Sequence, residues 1–442
     1  MIAKALGLRF DADMAIPRPL RLALLACIFA MLVPCCLRAA GAAARPDTLK
    51  VYLVTFGPGE EIFEKFAHNA IWIHDPSSPE KYRDVAFNYG LFNFGGDFVY
   101  RFARGDMRYW MGGYGALEMI QLYQDDNRNI GSQELNLNPR QAQQLSDFLW
   151  DNAAVANRYY AYNYYTDNCS TRVRDALDRV LQGQIKRQTQ DVITTHSYRF
   201  HTLRIISSNP VLYVCLQMLL GEPADRPISR WDEMFLPIAM QNHLRDVKVM
   251  DEAGNWVPLV GSERTIFCGT RLPVAALPPP WGKYFTLAGI LTALALFLLH
   301  AASQRSRWAR RAMLLLAMAW SFLIGFGGSF LALATLLTTH WPIYYNQNLL
   351  QFFPPAILTV FVLPKAFRGQ PRALRRAMRL SLLTLASSLI GVVLKIMPVG
   401  SQDNWSIIFW VLPVHMVLAI ILIRESRRIE LAANITASKE NP

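Results

Sequence analysis

From Tyr284 onward the chain is a succession of long apolar runs separated by short basic loops, and no other feature restricts its fold as much. Five runs fit this pattern, at residues 284–302, 313–337, 349–367, 380–398 and 405–423. Each is close to the roughly 20 residues a helix needs to cross the hydrocarbon of a bilayer. Only helices or closed barrels satisfy their backbone in lipid, so the last third reads as an all-α transmembrane bundle of about five helices. A disordered chain is excluded, because 52% of the 442 residues are hydrophobic. A purely soluble protein is excluded by where those residues sit.

The net charge of +12 would suit a nucleic-acid binder if it were spread over one surface. It is not. The segment before the first apolar run, the loops between the later runs and the C-terminal end hold eighteen Lys and Arg against five Asp and Glu, a surplus larger than that of the whole chain. The excess marks topology, and no nucleic-acid partner is expected. The basic loops alternate with loops 339–348 and 399–405, which lack Lys and Arg. The positive-inside rule then places residues 42–281 outside the cytoplasm and the C-terminus inside. At the other end, Arg18 and Arg21 precede an apolar run at 22–37 that is followed by small residues, Ala39 to Ala44. Residues 1–41 thus read as a secretory signal or a retained anchor, and either one exports the domain C-terminal to it. The organisation expected is a leader (1–41), an exported domain (42–281), a membrane domain (282–424) and a cytoplasmic tail (425–442). Lys395 is the one clear ionisable group inside an expected span, near the outer end where it can snorkel, which argues against a proton pump or transporter. The outer loop from His340 to Leu350 is either an interfacial aromatic belt or a contact for a headgroup or substrate.

The exported stretch of about 240 residues is enough for one sizeable core. Strands are expected at 49–56, 66–74 (FAHNAIWIH), 85–92 (VAFNYGLF), 117–123 and 131–137, with a short helix at 98–104. Asn138-Pro139 signals a helix start, with Asn as cap and Pro at the first helical position. Asp167-Asn168-Cys169-Ser170-Thr171 signals another, which puts Cys169 in a first helical turn. The amides and dipole of a helix start stabilise an anion, so a thiol there is expected to have a lowered pKa. They can also form part of an oxyanion hole. Only Cys169, Cys215 and Cys268 lie beyond the leader; Cys215 is in an apolar stretch and reads as a packed hydrophobe, and a Cys215–Cys268 disulfide stays open. Of the histidines, His68 at the start of a strand can take the thiol proton, and Asn88 on the neighbouring strand can hold the imidazole. His74 leads into a turn and reads as a surface residue. Arg172 and Arg174, within a turn or so of Cys169, either meet a lipid phosphate or are solvated helix charges. No H-E-x-x-H, C-x-x-C, G-x-S-x-G, P-loop or dinucleotide fingerprint occurs, and no metal or cofactor is expected.

The order of a strand His, a polar residue on a strand and Asn-Cys at a helix start resembles the permuted papain-like fold, which includes NlpC-type peptidases and the lecithin retinol acyltransferases. More closely, Phe66-Ala67-His68-Asn69, Phe87-Asn88-Tyr89-Gly90, Arg158-Tyr159-Tyr160, Asp167 to Arg172 and Trp231 to Pro237 resemble the Lnb-type periplasmic domain family, over roughly residues 48–245. Asn346 to Leu350 is similar to that family's membrane part. The resemblance implies an α+β permuted papain-like exported domain, with Cys169 as nucleophile and His68 as its base. It implies a lipoprotein N-acyltransferase of the inner membrane, with a phospholipid as acyl donor and a lipoprotein as acceptor. Asn69, where the family often has Thr or Ser, and Asp232, where it commonly has Glu, depart from the pattern. Candidate substrate contacts are Arg172, Asn168, Tyr89, His340 and Asn348. Two other readings stay open: a cysteine hydrolase of the same fold acting on cell-wall peptide or lipid ester, and a non-catalytic envelope sensor or assembly factor.

Overall fold

The computed structural model describes residues 49–397 and 402–440, with side chains up to residue 431. The expected leader, with its three cysteines, lies outside the described residues. The described chain forms two compact units. One comprises residues up to Phe98, Met107–Asp191 and Trp231–Arg271; the other comprises Val99–Asp106, Val192–Arg230 and the chain from Leu272 onward.

The first unit is built on a seven-stranded antiparallel sheet. Its strands are β1 (Lys50–Phe56), β2 (His68–His74), β3 (Asp84–Leu91), β4 (Arg108–Gly115), β5 (Ile130–Leu135), β6 (Tyr159–Ala161) and β7 (Val260–Phe267). They lie in the order β7-β5-β1-β2-β3-β4-β6. The helices are α1 (Ala116–Asp125), α2 (Pro139–Ala153), α3 (Cys169–Val180) and α4 (Pro237–Leu244). Side chains alternate across a strand, so each strand serves two cores. Val51, Leu53, Ile71, Ile73, Val85 and Phe87 face one way, where they pack with Leu145 and Leu149 of α2, Val173 and Leu177 of α3, and Met240 and Leu244 of α4. Val54, Phe56, Ala70 and Ala86 face the other way, against Ala116, Ile120 and Tyr123 of α1.

The strands at 49–56, 66–74, 85–92 and 131–137 and the helix Phe98–Arg104 lie close to where the sequence put them. Residues 117–123 do not form the expected strand. They lie within α1, whose buried residues Ala116, Ile120 and Tyr123 recur at helical spacing. Strands β4 and β7 were not expected: β4 contains Gly112 and Gly113, and β7 is mostly exposed and polar, so neither shows apolar alternation.

The second unit contains five helices long and apolar enough to cross a membrane: Gly282–Ser303, Arg307–Leu337, Asn348–Ala366, Pro371–Val393 and Trp405–Leu431. The third is interrupted by a 3-10 turn at Pro354–Ala356, where two consecutive prolines remove backbone donors. The fourth starts nine residues before its apolar run because Pro371 is fit to open a helix, and Arg372, Arg375, Arg376 and Arg379 ride on its first turns. Close packing between helices depends on small residues: a Cβ on Gly328 would lie 1.9 Å from the Phe352 carbonyl oxygen.

This unit also holds the apolar helix Pro210–Leu219, whose last carbonyls are capped by side chains distant in sequence. Asn346 donates to the carbonyls of Met218 and Leu219, Asn348 to those of Gln217 and Met218, and Gln402 to that of Leu220. Arg199, buried and paired with Asp225, donates to the carbonyls of Gln217 and Leu220. Lys395 does not simply snorkel: its Nζ donates to Gln347 Oε1 at 2.7 Å and to the Gln402 carbonyl. Cys215 and Cys268 are free and exposed, so the packed Cys215 and the open disulfide give way to two surface thiols.

Candidate active site

Cys169 is the first residue of α3, and Asn168 is its N-cap. Asn168 Oδ1 accepts from the Ser170 and Thr171 amides, each at 2.9 Å, and Thr171 Oγ1 accepts from the Asn168 amide at 2.7 Å. This reciprocal box satisfies donors that a helix start leaves orphaned. The cap is braced in turn by the Trp231–Pro237 segment. Asn168 Nδ2 donates to the Phe235 carbonyl at 2.9 Å, and Ser170 Oγ to that of Met234 at 2.7 Å. From β2, Asn69 Nδ2 donates to Ser170 Oγ at 3.0 Å. The residue after His68 therefore touches the residue after Cys169.

The backbone amides of Asn69, Ser170 and Cys169 itself lie near enough to the sulfur to favour its anion. Across from it, β3 carries a register shift between Asn88 and Leu91, and Gly90 sits there at φ +86°. A Cβ on Gly90 would lie 3.2 Å from Cys169 Cβ, so conformation and space both call for glycine.

Strand parity places His68 on the α1 face with Phe56, its partner across β1, and with Asn88, whose partner Ala70 faces the same way. His68 Nε2 and Asn88 Oδ1 are 3.0 Å apart. Asn88 Nδ2 donates to the Ala86 carbonyl at 3.0 Å, which fixes the amide so that Oδ1 faces the ring. The network assigns the proton to Nε2 and leaves Nδ1 with the lone pair. No hydrogen bond between Cys169 and His68 is formed among the described residues. Ala67, just before His68, has φ +69°, a left-handed conformation that costs a non-glycine residue energy and turns the chain into β2.

The sequence expectation of a lowered thiol pKa is not met. Cys169 keeps part of its surface open, yet crowding by protein desolvates the thiolate more than the three amides and the Arg128 charge stabilise it, and the thiol is pushed up to about 11. His68 is pushed down to about 4, chiefly by burial and further by Arg128, against the support of Asn88. At neutral pH both groups are uncharged. Tyr109, Tyr123, Tyr160 and Tyr162 lie within electrostatic reach of the sulfur and make up much of this dry surrounding.

Arg128 was not anticipated. It is fully buried, its Nε donates to the Gly57 carbonyl at 2.7 Å, and neither Nη has a hydrogen-bond partner among the described residues. Glu64 and Asp126 flank it at 3.9 Å. The guanidinium lies 4.5 Å above the Tyr123 ring, which lies parallel to His68 with centroids 6.3 Å apart. Nothing in its local sequence marks Arg128; the pairing of Phe56 with His68 brings these residues together.

The other candidates are placed as follows. Arg172 is half-buried, holds Asp167 with Nη2–Oδ2 at 2.6 Å and stacks 4.3 Å above Tyr160. Arg174 donates to the Trp231 carbonyl and lies 3.7 Å above its ring. Tyr89 is buried, and its hydroxyl donates to Asn152 Oδ1 at 2.7 Å. His74 meets Asp84 at 2.7 Å. His340 and Asn348 belong to the second unit. There His340 Nε2 meets the Phe102 carbonyl at 2.8 Å, and Asn348, fully buried, also accepts from Asn404. Asn168, Tyr89 and Asn348 are thus engaged by the protein itself.

In comparison with known proteins, residues 38–209 match the family model of the Lnb N-terminal periplasmic domain, in line with the resemblance seen in the motifs. Together with the five long apolar helices, the match supports a multi-pass membrane protein with a periplasmic domain. No curated protein and no solved structure matches the chain.

Proposed function

We propose that the chain is a thiol-dependent acyltransferase of the bacterial inner membrane, with a permuted papain-like periplasmic domain. It moves a fatty acyl chain from a phospholipid to the N-terminal amine of a lipoprotein. The observation that carries this reading is the thiol at the capped start of α3, close to the strand whose His68 is held by Asn88 with Nδ1 left as a base.

The chemistry follows from two neutral groups. Moving the proton from a thiol at about 11 to an imidazole at about 4 costs about 9–10 kcal/mol before the mutual attraction of the ions is counted. A standing ion pair is therefore not the resting state. The proton passes to His68 Nδ1 as sulfur bonds to the ester carbonyl carbon, and the backbone amide of Cys169, which the Asn168 cap does not use, stabilises the oxyanion. Collapse expels the glycerol oxygen, which takes the proton from His68, and leaves a thioester. The amine then attacks the thioester, the amide forms, the surplus proton of the amine leaves through His68, and the thiol is restored. A desolvated sulfur favours an amine acceptor over water, because excluding water protects the thioester.

The test is intact-mass analysis of the purified full chain after incubation with phospholipid, followed by addition of a diacylated lipopeptide. An acyl adduct on Cys169 that disappears as the lipopeptide gains an acyl chain supports the reading. Adduct loss as free fatty acid, with no acylated lipopeptide, would move the assignment to a hydrolase. An unmodified Cys169 would remove the enzymatic reading.

A further inference from the structure

Three phenylalanines that follow β3 and a fourth from the connection between β1 and β2 form one cluster. Phe92 lies 4.9 Å from Phe94 and 5.3 Å from Phe98, Phe94 lies 4.9 Å from Phe98, and Phe63 meets Phe92 and Phe94 at 5.6 and 5.8 Å. A cluster of this size usually closes a core, but Phe94 is 62% exposed and Phe63 is 41% exposed. Exposed apolar patches of this kind mark interaction surfaces.

The patch is continuous with the candidate active site. Phe92 lies against Tyr109 at 4.9 Å, Tyr109 stacks on Tyr162 at 4.2 Å, and both Tyr162 and Cys169 border Gly90. An unbroken aromatic path thus runs from an exposed surface to the thiol. A polar peptide would gain little along such a wall, whereas a hydrocarbon chain loses water contact over its whole length. The five helices that can cross a membrane ensure that this chain works where lipid is abundant.

We propose that the Phe63, Phe92, Phe94 and Phe98 cluster is the surface on which the acyl chain of a membrane phospholipid docks, and that Tyr109 and Tyr162 lead its ester end to Cys169. The proposal adds the lipid-docking residues to the acyl-transfer reading and rests on it for purpose, but the contact itself can be tested without catalysis. The photoreactive residue benzoylphenylalanine is placed at Phe94 or at Phe63 of the full chain carrying Cys169→Ala, which can form no thioester. As controls it is placed at Val155 and Leu117, which are 68% and 63% exposed in the same unit. The proteins are reconstituted into vesicles of radiolabelled phosphatidylglycerol and irradiated. The expected result is lipid adduct at positions 94 and 63, several-fold above both controls. Equal labelling at the controls, adducts to protein alone, or no adduct at 94 and 63 would each overturn the proposal. Acyl transfer failing in the wild-type chain while these adducts form would sink the catalytic reading and leave a lipid-binding surface.

Discussion

The resting state of the thiol can be tested directly by the pH dependence of its alkylation. Only the thiolate reacts with iodoacetamide, so the rate follows the thiolate fraction. With the thiol at about 11, that fraction is about 10⁻⁴ at pH 7, against about 3% for a free cysteine near 8.5. Cys169 should therefore react two to three orders of magnitude more slowly than a model thiol, and shielding by protein would lower the rate further. The slope is free of that second effect. Between pH 6 and 9 the rate should rise about tenfold per unit with no plateau, since the whole window lies below the pKa. The assay needs the other five cysteines replaced by serine, because Cys215 and Cys268 are exposed. His68→Gln should leave the slope unchanged, as the ring is neutral throughout. A plateau beginning below pH 7 that His68→Gln abolishes would refute the reasoning, since it is the signature of a thiolate–imidazolium pair.

Three more outcomes are expected from the same geometry. His68 titrates at about 4 when folded and near 6.5 when unfolded, so the unfolded chain binds more protons between those values and stability falls as pH drops from 6.5 to 4, by about 3 kcal/mol; plots of Tm against pH should be flatter in this window for His68→Gln. Gly90→Ala forces a side chain into a left-handed backbone against Cys169, so it should cost about 1–2 kcal/mol in denaturant unfolding and lower acyl-adduct formation more than it lowers stability. Asn168→Ala removes the acceptor for two amides and a donor to two carbonyls, and a loss of about 2 kcal/mol, at the upper end for a cap, should appear as a lower Tm.

Much of the fold was legible because its signals are local. Length and apolarity mark each membrane helix, and Asn138-Pro139 and Asn168-Cys169 mark two helix starts that form as read. The errors arose where local and tertiary signals part. Residues 117–123 read as a strand, but burial of Ile120 and Tyr123 with Phe56 and Ala70 settles them as helix. Strand β7 has almost no apolar face of its own; it forms because β5 offers it a free edge.

The site was legible in its residue types but not in its electrostatics. Asn-Cys after an aromatic-rich strand predicts a capped thiol, and the helix start is a real source of stabilisation for an anion. Whether it lowers the pKa depends on how much water remains around the sulfur, which is set by Tyr109, Tyr160 and Tyr162, and by Tyr123 of α1. These residues lie as far as sixty positions from Cys169 and, Tyr160 apart, carry no motif. The same holds for Arg128, whose charge reaches both His68 and Cys169 and whose guanidinium the fold sets over Tyr123, a ring parallel to that of His68. A cation there favours the thiolate but opposes the imidazolium that the proposed proton transfer would form, so it keeps His68 a neutral acceptor at the cost of some basicity. Burial opposes the anion more strongly at rest. In the proposed acyl transfer the balance shifts only when a carbonyl carbon arrives to share the charge, which would keep the thiol quiet until a substrate is in place.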